Sequence, residues 1–503
     1  MTLYNTLLSW LMRKRMHQIE LFVKYPHDVQ NDWFHKLIKA GVKTEWGATY
    51  NYADIKNYDD YKSHVPLSYY EDLKPYIDRL MKGEQKLLWN SSIRWMAKSS
   101  GTTSEKSKFI PVSQEALEEC HFKGGKDLYG LYCQNNPETN IFNGKALAMG
   151  GSHQISEYNN ESYYGDLSAI IIQNLPFWAE FHRTPSLDIA LMDNWEEKIN
   201  KMAMAILADD ITNISGVPSW TLLLLKKVLD ITKRDNISEV WPEMELYVHG
   251  GVSFKPYRDE FKRLFPGDKV KYIETYNASE GFFGIQDINN SEDLLLMLDY
   301  GIFYEFIPMH EINNQEPKTL SLEDVETDVN YALVISTNAG LWRYIIGDTV
   351  KFTSKNPYKI RITGRTKSFI NAFGEEIIIE NAEDALKIAC EKSNAIINEY
   401  TAAPVYLKGN DSACHEWIIE FNKKPDNPDF FTVTLDNALK ALNSDYEAKR
   451  FKDMLLKMPK VHMAPEGTFY NWMKSRGKLG GQNKVPRLSN DRKYVEEILE
   501  MIN

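Results

Sequence analysis

A stretch rich in hydroxyl side chains, SSGTTSEKSKFIPVS (residues 99–113), combines residue types that suit the binding of phosphate. Its leading small residues are Ser99, Ser100, Gly101, Thr102 and Thr103. Gly101 permits a tight turn, the backbone N–H groups of such a turn attract anions, and Lys106 and Lys108 add positive charge. The stretch lacks the GxxxxGK[ST] pattern of a P-loop. It therefore indicates either a phosphate loop of another kind or a surface turn without a ligand.

Three later stretches carry further groups that suit a nucleotide. In ETYNASEGFFGIQ (274–286), Tyr276 offers an aromatic face for a base and Glu280 a hard oxygen ligand for Mg²⁺. In GLWRYIIGDTVKF (340–352), Asp348 can accept hydrogen bonds from ribose hydroxyls, and GRTKSFINAFGEE (364–376) brings Arg365 and Lys367. Each stretch has a plain alternative: a core tyrosine with a solvated glutamate, a Gly-Asp turn, and a charged linker. It is the combination, in this order, that favours a nucleotide site.

The surrounding pattern predicts the elements that hold these groups. Residues 1–90 are expected to be mostly helical, beginning with an amphipathic helix whose apolar side, Leu3, Leu7, Leu8 and Leu11, packs on the body. Beyond residue 140, β-rich runs such as MELYVHGG and VKYIETYNASEG alternate with helical ones, whereas LSAIIIQNLP suits a strand or a buried helix. Alternating strands and helices predict an α/β fold with a large sheet.

A domain boundary is predicted near KIRITGRTKSFINAFGEEI, because an independent α+β pattern starts after it. That pattern consists of a helix at NAEDALKIAC, strands at APVYLKG and EWIIEFN, and one long helix at NALKALNSDYEAKRFKDMLLK. The prediction is a large domain over residues 1–364 and a small one over residues 365–503, with a cleft between them as the natural ligand site.

Composition limits the classes of partner. The 503-residue chain has a net charge of −11 and a pI near 5.6, which argues against a general nucleic-acid binder. The four cysteines form no CxxC pair, which indicates a reduced, cytoplasmic protein without a structural zinc site. No apolar run approaches the ~20 residues that span a bilayer, so no membrane partner is expected. The oligomeric state stays open.

The four stretches together resemble the successive core motifs of the adenylate-forming superfamily, which includes acyl-CoA synthetases, luciferases and adenylation domains. More closely, SSGTTSEKSKFIPVS, ETYNASEGFFGIQ, GLWRYIIGD and TKSFINAFGEE resemble the acyl-acid amido synthetases named for the auxin-responsive Gretchen Hagen genes. The chain would be a member of the bacterial type. The resemblance extends to HGGVSFKPYRDEF and to the late GGQNKVPRL, and so covers nearly the whole length.

This resemblance implies a fold, an activity and its cofactors. The fold would be a large N-terminal adenylate-forming domain with mixed sheets and flanking helices, followed by a small mobile α+β domain. With ATP and Mg²⁺, the enzyme would convert a carboxylic acid into an acyl adenylate and pyrophosphate. It would then transfer the acyl group to the amine of an amino acid. Carboxylate and triphosphate repel each other, so this chemistry requires positive charge at the reacting atoms.

The resemblance also assigns roles residue by residue. Ser99, Ser100, Gly101, Thr102 and Thr103 would hold phosphates; Gly251, Tyr276 and Ser279 would border the adenine; Asp348 and Arg365 would bind ribose; Glu280 would hold Mg²⁺; Lys367 would be the hinge; and Lys484 would approach the α-phosphate. Glu280 and Lys484 are thus the implied catalytic residues. The chain departs from the wider superfamily pattern at Ser104-Glu105, Ser107 and Asn277.

Two other functions remain open. An acyl-CoA ligase would share the adenylation step and use coenzyme A as acceptor. A non-catalytic nucleotide-binding protein would keep the fold without the reaction. The aromatic residues Phe177, Trp178 and Trp220 would suit an aryl or apolar acid, but they suit the core equally well and are interpreted first as core residues.

Overall fold

The computed structural model describes most of the chain. The described residues are 3–99, 108–150, 156–159, 162–192, 194–251, 254, 257–366, 369–370, 377–405, 413–443, 446–447, 450, 456–479, 484–489 and 492–502. Ser100, Gly101, Thr102, Thr103 and Lys367 lie outside this range, and so do Lys106 and the Ser104-Glu105 pair.

Helices make up most of the first 90 residues, as predicted, and recur between the strands that follow. They are α1 (Leu3–Arg13), α2 (Met16–Lys24), α3 (Pro26–Gly41), α4 (Glu45–Thr49), α5 (Tyr58–His64), α6 (Tyr70–Met81), α7 (Gln114–Ala116), α8 (Lys123–Asn135), α9 (Leu167–Gln173), α10 (Phe177–His182), α11 (Leu187–Ala190), α12 (Trp195–Ala205), α13 (Pro218–Thr232) and α14 (Arg258–Leu264). A π-helical segment, Leu117–Phe122, joins α7 to α8, and 3₁₀ turns cover Tyr52–Asp54, Ile206–Ala208 and Ile237–Glu239. The ambiguous run LSAIIIQNLP forms a helix, α9.

Only part of the apolar side of the first helix, α1, is buried. Met12 is buried, and the main chain of α1 passes so close to α8 that a Cβ on Gly130 would lie 3.0 Å from the Met12 carbonyl oxygen. Leu7, which was predicted to pack on the body, is 51% exposed, and Leu11 is 38% exposed. That part of the prediction is wrong, because α1 packs through Met12 and its close backbone contact rather than through the leucine side.

A four-stranded sheet carries the two ends of the predicted phosphate loop. Its strands are β1 (Trp95–Ser99), β2 (Lys108–Val112), β4 (Ser156–Asn159) and β5 (Ser162–Gly165), in the order β2-β1-β5-β4. β1 and β2 are antiparallel, with Ser99 opposite Lys108. The loop therefore connects two paired strands, whereas a P-loop connects a strand to a helix.

An eleven-stranded mixed sheet forms the centre of the molecule, in the order β12-β13-β14-β15-β11-β10-β9-β8-β7-β3-β6. Its strands are β3 (Lys145–Ala148), β6 (Arg183–Thr184), β7 (Ile211–Ser215), β8 (Leu246–Gly250), β9 (Lys271–Ala278), β10 (Gly281–Ile285), β11 (Leu294–Leu296), β12 (Ile302–Pro308), β13 (Asn330–Thr337), β14 (Tyr344–Lys355) and β15 (Tyr358–Arg365). From β6 to β9 the neighbours are parallel, and from β9 to β12 they are antiparallel. The predicted α/β fold with a large sheet is confirmed.

The C-terminal part has its own sheet and its own core. Its elements are β16 (Phe369–Ile370), β17 (Ile377–Ile378), α15 (Ile379–Ser393), β18 (Ile396–Val405), β19 (Cys414–Lys423), α16 (Pro428–Leu442), β20 (Lys460–Ala464), α17 (Thr468–Ser475) and α18 (Lys493–Ile502). β18, β19 and β20 form a three-stranded sheet, and two hydrophobic clusters lie wholly within residues 370–498. The boundary itself, between residues 364 and 365, stays a prediction.

The long helix predicted from Asn437 onward is interrupted. α16 ends at Leu442, and Asn443 has extended dihedral angles of −143° and 110°. Its side chain accepts a hydrogen bond of 2.7 Å from the backbone N–H of Tyr446. A single long helix was the wrong prediction, because Asn443 competes for the backbone donors and caps a new turn instead of continuing the old one.

Candidate active site

A cavity of about 1870 Å³ lies between the large sheet and the C-terminal part. Ala148, Ser215, Gly250 and Ala278, which end four neighbouring parallel strands, all line it. In open α/β sheets, ligands bind at this carboxyl edge of the parallel strands. Asp348, Arg365 and Lys484 line the same cavity. The fold therefore brings together residues from all the described candidate stretches.

Asp348 is the centre of a hydrogen-bonded cluster. Tyr276 Oη donates to Asp348 Oδ2 at 2.8 Å, and Arg365 Nε donates to Asp348 Oδ1 at 2.9 Å. The hairpin of β14 and β15 sets this geometry, because it places Asp348 directly opposite Arg365. The charge of Asp348 raises the pKa of Arg365 above its usual value, although burial opposes the shift. Three residues that the sequence assigned to adenine and ribose thus form one connected group.

The Tyr276 ring is 4% exposed and packs against Phe283, with ring centroids 4.8 Å apart and planes inclined by 57°. Burial and the neighbouring Asp348 charge raise the pKa of the Tyr276 phenol well above its usual value, so the hydroxyl stays protonated and donates. The sequence did not indicate this bond to Asp348. The stacking of Tyr276 on adenine stays a prediction.

Glu280 stands in the two-residue turn between β9 and β10, where Ala278 pairs with Gly281. Burial, followed by the negative charge of Asp348, raises the pKa of Glu280 to about 7. A Cβ on Gly281 would lie 2.8 Å from Ile302 Cδ1, so a larger residue here would displace that side chain. A carboxylate in such a place lacks enough nearby positive charge, which is the environment that a bound cation would relieve.

Ser279 precedes Glu280 and is also buried. Its Oγ has no hydrogen-bond partner within the part of the chain that the structure describes. A buried hydroxyl without a partner is unusual in a folded protein, since leaving it unpaired costs about 1–3 kcal/mol. Ser279 lines the cavity, where a ligand could accept from it or donate to it.

Lys484 reaches the cavity from the C-terminal part. Its Nζ donates to the carbonyl oxygen of Gly251, at the end of the β8 strand. Gly251 has φ of +78°, a left-handed conformation that favours glycine. Burial, followed by the positive charge of Arg365, lowers the pKa of Lys484 to about 8, while Asp348 raises it. The charge of Lys484 therefore interacts electrostatically with the charges of Asp348 and Arg365.

A short extended segment, residues 484–489, holds Lys484 in place. It runs parallel to β18 through a bridge between Leu488 and Ala402. The N–H of Ala402 donates to the carbonyl of Arg487 at 2.9 Å, and the N–H of Ser489 donates to the carbonyl of Ala402 at 3.1 Å. A single bridge thus attaches the segment that carries Lys484 to the edge strand of the C-terminal sheet.

The remaining predicted residues are placed only in part. Ser99 ends β1, but the loop that follows it, Ser100 to Thr103, and the hinge residue Lys367 lie outside the described residues. Lys108, noted in the sequence as a positive charge beside the loop, lines the cavity and lowers the pKa of Glu280.

Two groups at the site were missed in the sequence. His249 is buried on β8, its ring is stacked on Phe254 at 4.1 Å, and burial and the Arg258 charge lower its pKa to about 3. Arg487, three residues after Lys484, also lines the cavity. The HGG and KVPR stretches were part of the resemblance, but nothing in their spacing identified these two side chains.

One wall of the cavity is apolar. It includes Met149, Ile171, Ile172, Val217 and Trp220. Trp220 is half-buried and also packs against the second hydrophobic cluster, so it serves the core and the cavity at once. Phe177 and Trp178 belong to α10, and their side chains lie outside the described residues.

Comparison with known proteins shows the family of the chain. Models of the GH3 family N-terminal, central and C-terminal domains match residues 15–270, 295–365 and 380–493. The chain is 22% identical to "Indole-3-acetic acid-amido synthetase GH3.3" of Arabidopsis thaliana, over 94% of this chain and 91% of that protein.

Solved structures share the fold. The structure of "GH3.15 acyl acid amido synthetase" superposes with a TM-score of 0.80 at 16% identity, covering 97% of this chain and 96% of that one. That of a 2-hydroxyisobutyryl-CoA ligase in the postadenylation state gives a TM-score of 0.62 at 12% identity, covering 94% and 91%. Because the family models together span most of the sequence, the chain belongs to the GH3 family.

Proposed function

We propose that this protein is an ATP-dependent ligase that activates a carboxylic acid as its acyl adenylate and transfers the acyl group to the amine of an amino acid. The proposal rests mainly on one observation: Lys484 lines the same cavity as the hydrogen-bonded cluster of Tyr276, Asp348 and Arg365. Membership of the GH3 family supports it, since relatives with this architecture are named amido synthetases.

In the first step an oxygen of the acid attacks the α-phosphorus of ATP. The new acyl–oxygen–phosphorus linkage forms, and the bond to the leaving pyrophosphate breaks. Two anionic groups must approach each other, so the ammonium of Lys484 stabilises the charge that develops on the α-phosphate. With a pKa of about 8, Lys484 still carries this charge at neutral pH.

Asp348 binds the ribose in this proposal. A carboxylate offers about four lone-pair positions, and the bonds from Tyr276 and Arg365 occupy two of them. The remaining positions can accept from ribose hydroxyls. Tyr276 and Arg365 thus orient Asp348 as well as line the adenine and ribose region.

Glu280 is suited to be the protein ligand in a magnesium site. Mg²⁺ at a nucleotide is usually bound by one or two carboxylates together with substrate phosphates and water. Among the described residues no cluster of three His, Cys, Asp or Glu side chains could enclose a metal alone, and this agrees with a site completed by phosphates. When bound, Mg²⁺ would neutralise phosphate charge. Glu280, whose pKa is raised to about 7, would hold the ion in its ionised, carboxylate form.

In the second step the amine nitrogen attacks the acyl carbon. The carbon–nitrogen bond forms, the bond to the adenylate oxygen breaks, AMP leaves and the amine loses a proton. The phosphate already makes AMP a good leaving group, so no covalent enzyme intermediate is needed. The amino acid acceptor is supported by the names of the relatives, and the apolar wall supports an aryl or apolar acid as the first substrate.

The protein would act in the cytoplasm, where thiols remain reduced. All four cysteines are free, and three of them are buried. In the described residues no helix has the length and apolar character to cross a membrane.

Product analysis tests the proposal against the CoA ligase and the non-catalytic alternative. The protein is incubated with ATP, Mg²⁺ and a panel of aryl, indole and fatty acids, with either a mixture of amino acids or coenzyme A, and products are identified by mass spectrometry. An N-acyl amino acid with AMP confirms the proposal. A thioester alone would replace it with the CoA ligase. ATP binding without AMP from any acid would favour the non-catalytic protein.

A further inference from the structure

We propose that Cys120 and Gly124 are positioning residues, which hold Phe282 and thereby fix the turn that presents Glu280 to the cavity. Cys120 belongs to the π-helical segment, and Gly124 lies in the first turn of α8. Phe282 stands in β10, two residues after Glu280. The inference rests on the proposed function for what Glu280 does, whereas the hold on Phe282 consists of contacts that can be tested without it.

The backbone of Phe282 needs a partner that strand pairing does not supply. In the hairpin of β9 and β10, Asn277 and Phe282 form the pair next to the one that closes the turn. Hydrogen-bonded and non-hydrogen-bonded pairs alternate in an antiparallel ladder, so the N–H and C=O groups of Phe282 point away from β9. On that side, the described strand β11 pairs with β10 at Gly284 and Ile285 and does not extend to Phe282.

Cys120 supplies the missing partner. The N–H of Phe282 donates to Cys120 Sγ at 3.1 Å, and the thiol donates to the carbonyl oxygen of Phe282 at 4.0 Å. A thiol can act as a weak acceptor and a weak donor at once. Cys120 is buried, and this burial raises the pKa of its thiol to about 12, so the thiol keeps the proton that it donates. The side chain thus takes the place of a missing strand.

The ring of Phe282 is held by the same part of the chain. A Cβ on Gly124 would lie 2.7 Å from Cγ of this ring, so the ring rests on the bare backbone of α8. The Tyr300 ring meets it edge to face, with centroids 6.0 Å apart, and Tyr300 Oη donates to Asp127 Oδ2 of α8 at 2.8 Å. Both the backbone and the ring of Phe282 therefore depend on residues 120–127.

The π-helical segment also continues directly from the predicted phosphate loop. β2, which begins at Lys108, leads into α7 and then into the π-helical segment. Ser113 fixes this junction, because its Oγ donates to the Asn338 carbonyl at 2.6 Å and accepts from the N–H of Ala116 at 3.0 Å. Single π-helical turns occur frequently at functional sites. Lys108 and Glu280 line the same cavity, so one short stretch of chain positions both.

A shift of Phe282 must reach Glu280 because a single residue, Gly281, separates them. A misplacement of about 1 Å can cost about 100-fold in rate, and the loss of a group that orients a metal ligand typically costs about 10- to 100-fold in metal affinity. The hold on Phe282 should therefore affect how well Glu280 binds Mg²⁺ at the nucleotide, beyond any effect on stability.

Two adjacent glycines of α8 provide a matched pair of variants. Gly124→Ala places a methyl group against the Phe282 ring, whereas a Cβ on Gly125 meets no described atom within 4 Å. Both substitutions raise helix propensity equally, so a difference between them reports the contact with Phe282. Cys120→Ala removes the thiol, and Cys120→Ser keeps a group that donates and accepts. Cys133→Ala, which removes another buried thiol on α8, is the control for Cys120→Ala.

The first readout is ATP binding by calorimetry, once with saturating Mg²⁺ and once with EDTA. Cys120→Ala and Gly124→Ala are expected to reduce the gain in ATP affinity that Mg²⁺ provides by about 10-fold, while the affinity in EDTA stays within about twofold. Cys120→Ser should restore most of the gain. Gly125→Ala and Cys133→Ala should retain all of it.

The second readout is backbone hydrogen exchange, measured by mass spectrometry on peptides that cover residues 278–286. It needs neither substrate nor metal. Cys120→Ala and Gly124→Ala should exchange about 10-fold faster than the wild-type protein in these peptides, because the N–H of Phe282 loses its acceptor or its packing. Gly125→Ala and Cys133→Ala should exchange like the wild-type protein.

Exchange that is unchanged in both Cys120→Ala and Gly124→Ala would overturn the proposal. So would faster exchange with an undiminished Mg²⁺ gain, since Phe282 would then not control Glu280. Equal effects in Gly124→Ala and Gly125→Ala would also overturn it, because a general change in α8 would explain them. Wild-type ATP affinity that does not respond to Mg²⁺ would count against the metal site of the proposed function, and hydrogen exchange alone would then decide whether Phe282 is held.

Discussion

Two arginine–carboxylate pairs in this protein share their chemistry but differ in what surrounds them. In each, a tyrosine hydroxyl donates to the same carboxylate: Tyr58 to Glu305 at 2.9 Å, and Tyr276 to Asp348 at 2.8 Å. Arg343 binds Glu305 through Nε and through Nη2, at 2.8 Å for the latter, whereas Arg365 binds Asp348 through Nε at 2.9 Å.

The difference lies in how far each arginine is exposed. Nη1 of Arg343 donates to the carbonyl of Val65, and Nη2 donates to the hydroxyl of Thr319 as well as to Glu305. Both Arg343 and Glu305 are buried. Arg365 faces the cavity with its side chain 40% exposed. A closed ion pair of this type maintains the fold. An open one can be reached by a ligand in the cavity, which is why only the second pair is interpreted as a site.

Arg343→Met should have the largest effect on folding. It leaves Glu305 buried with an uncompensated charge, a loss of about 3–5 kcal/mol in the free energy of unfolding. Arg365→Met removes a partly exposed pair and should cost about 0–1 kcal/mol. Urea unfolding followed by tryptophan fluorescence measures both. Equal destabilisation would remove the distinction between the closed and the open pair.

Lys484→Ala should have the largest effect on chemistry. Loss of the charge that faces the α-phosphate is expected to lower acid-dependent pyrophosphate exchange about 100- to 1,000-fold, while ATP binding stays largely intact. Lys460→Ala, an exposed lysine of β20, is the control and should retain activity. An equal loss of ATP binding in Lys484→Ala would contradict the role assigned to this side chain.

Asp348→Ala should weaken binding and chemistry together. Hydrogen bonds to a charged group contribute about 1.5–3 kcal/mol, so ATP affinity should fall about 10- to 100-fold and exchange with it. Calorimetric titration with ATP provides the measurement. Unchanged ATP affinity, with exchange lost, would place the nucleotide away from the open pair.

The pH profile should follow Glu280 and Lys484. Exchange needs Glu280 ionised and Lys484 protonated, so kcat/KM should rise as pH passes about 7 and fall as it passes about 8. Asp348 raises both pKa values, and Asp348→Asn should therefore shift both limbs to lower pH. Limbs that stay in place in the variant would show that other groups control the profile.

Tyr276→Phe should have the smallest effect. One of the two hydrogen bonds that orient Asp348 is lost while the bond from Arg365 remains, so the KM for ATP should rise only about 2- to 10-fold. The matched variant is Tyr58→Phe, which removes the equivalent bond to Glu305 and should reduce stability but leave KM unchanged. A change in KM from Tyr58→Phe would mean that the closed pair also reaches the nucleotide.

Local patterns predicted much of this molecule. β9 and the turn that carries Glu280 follow directly from YNASEG, because the strand pattern ends at residues that favour a turn. Asp348 and Arg365 could be named from their motifs, and the hairpin between them then sets their pairing. Ordered motifs therefore pointed to side chains that line the cavity, and their roles stay predictions.

What the sequence could not supply depends on tertiary contacts. The bond of Lys484 to Gly251 joins residues 233 positions apart, and the ion pair of Arg487 with Glu399 requires the C-terminal sheet to be in place first. The direction of the Tyr276 hydroxyl depends on packing against Phe283. Locally, Asn443 ended α16 where the apolar pattern continued, since capping overrode periodicity.

The central claim is that the open pair and Lys484 form an adenylation site, and acid-dependent ATP–pyrophosphate exchange tests it most directly. The wild-type protein is assayed with Mg²⁺ and a broad panel of aryl, indole and fatty acids, without amine and without coenzyme A. The account predicts exchange with at least one acid, abolished in Lys484→Ala. Exchange that is equally fast in Lys484→Ala, or no exchange with any acid from protein that binds ATP, would contradict it.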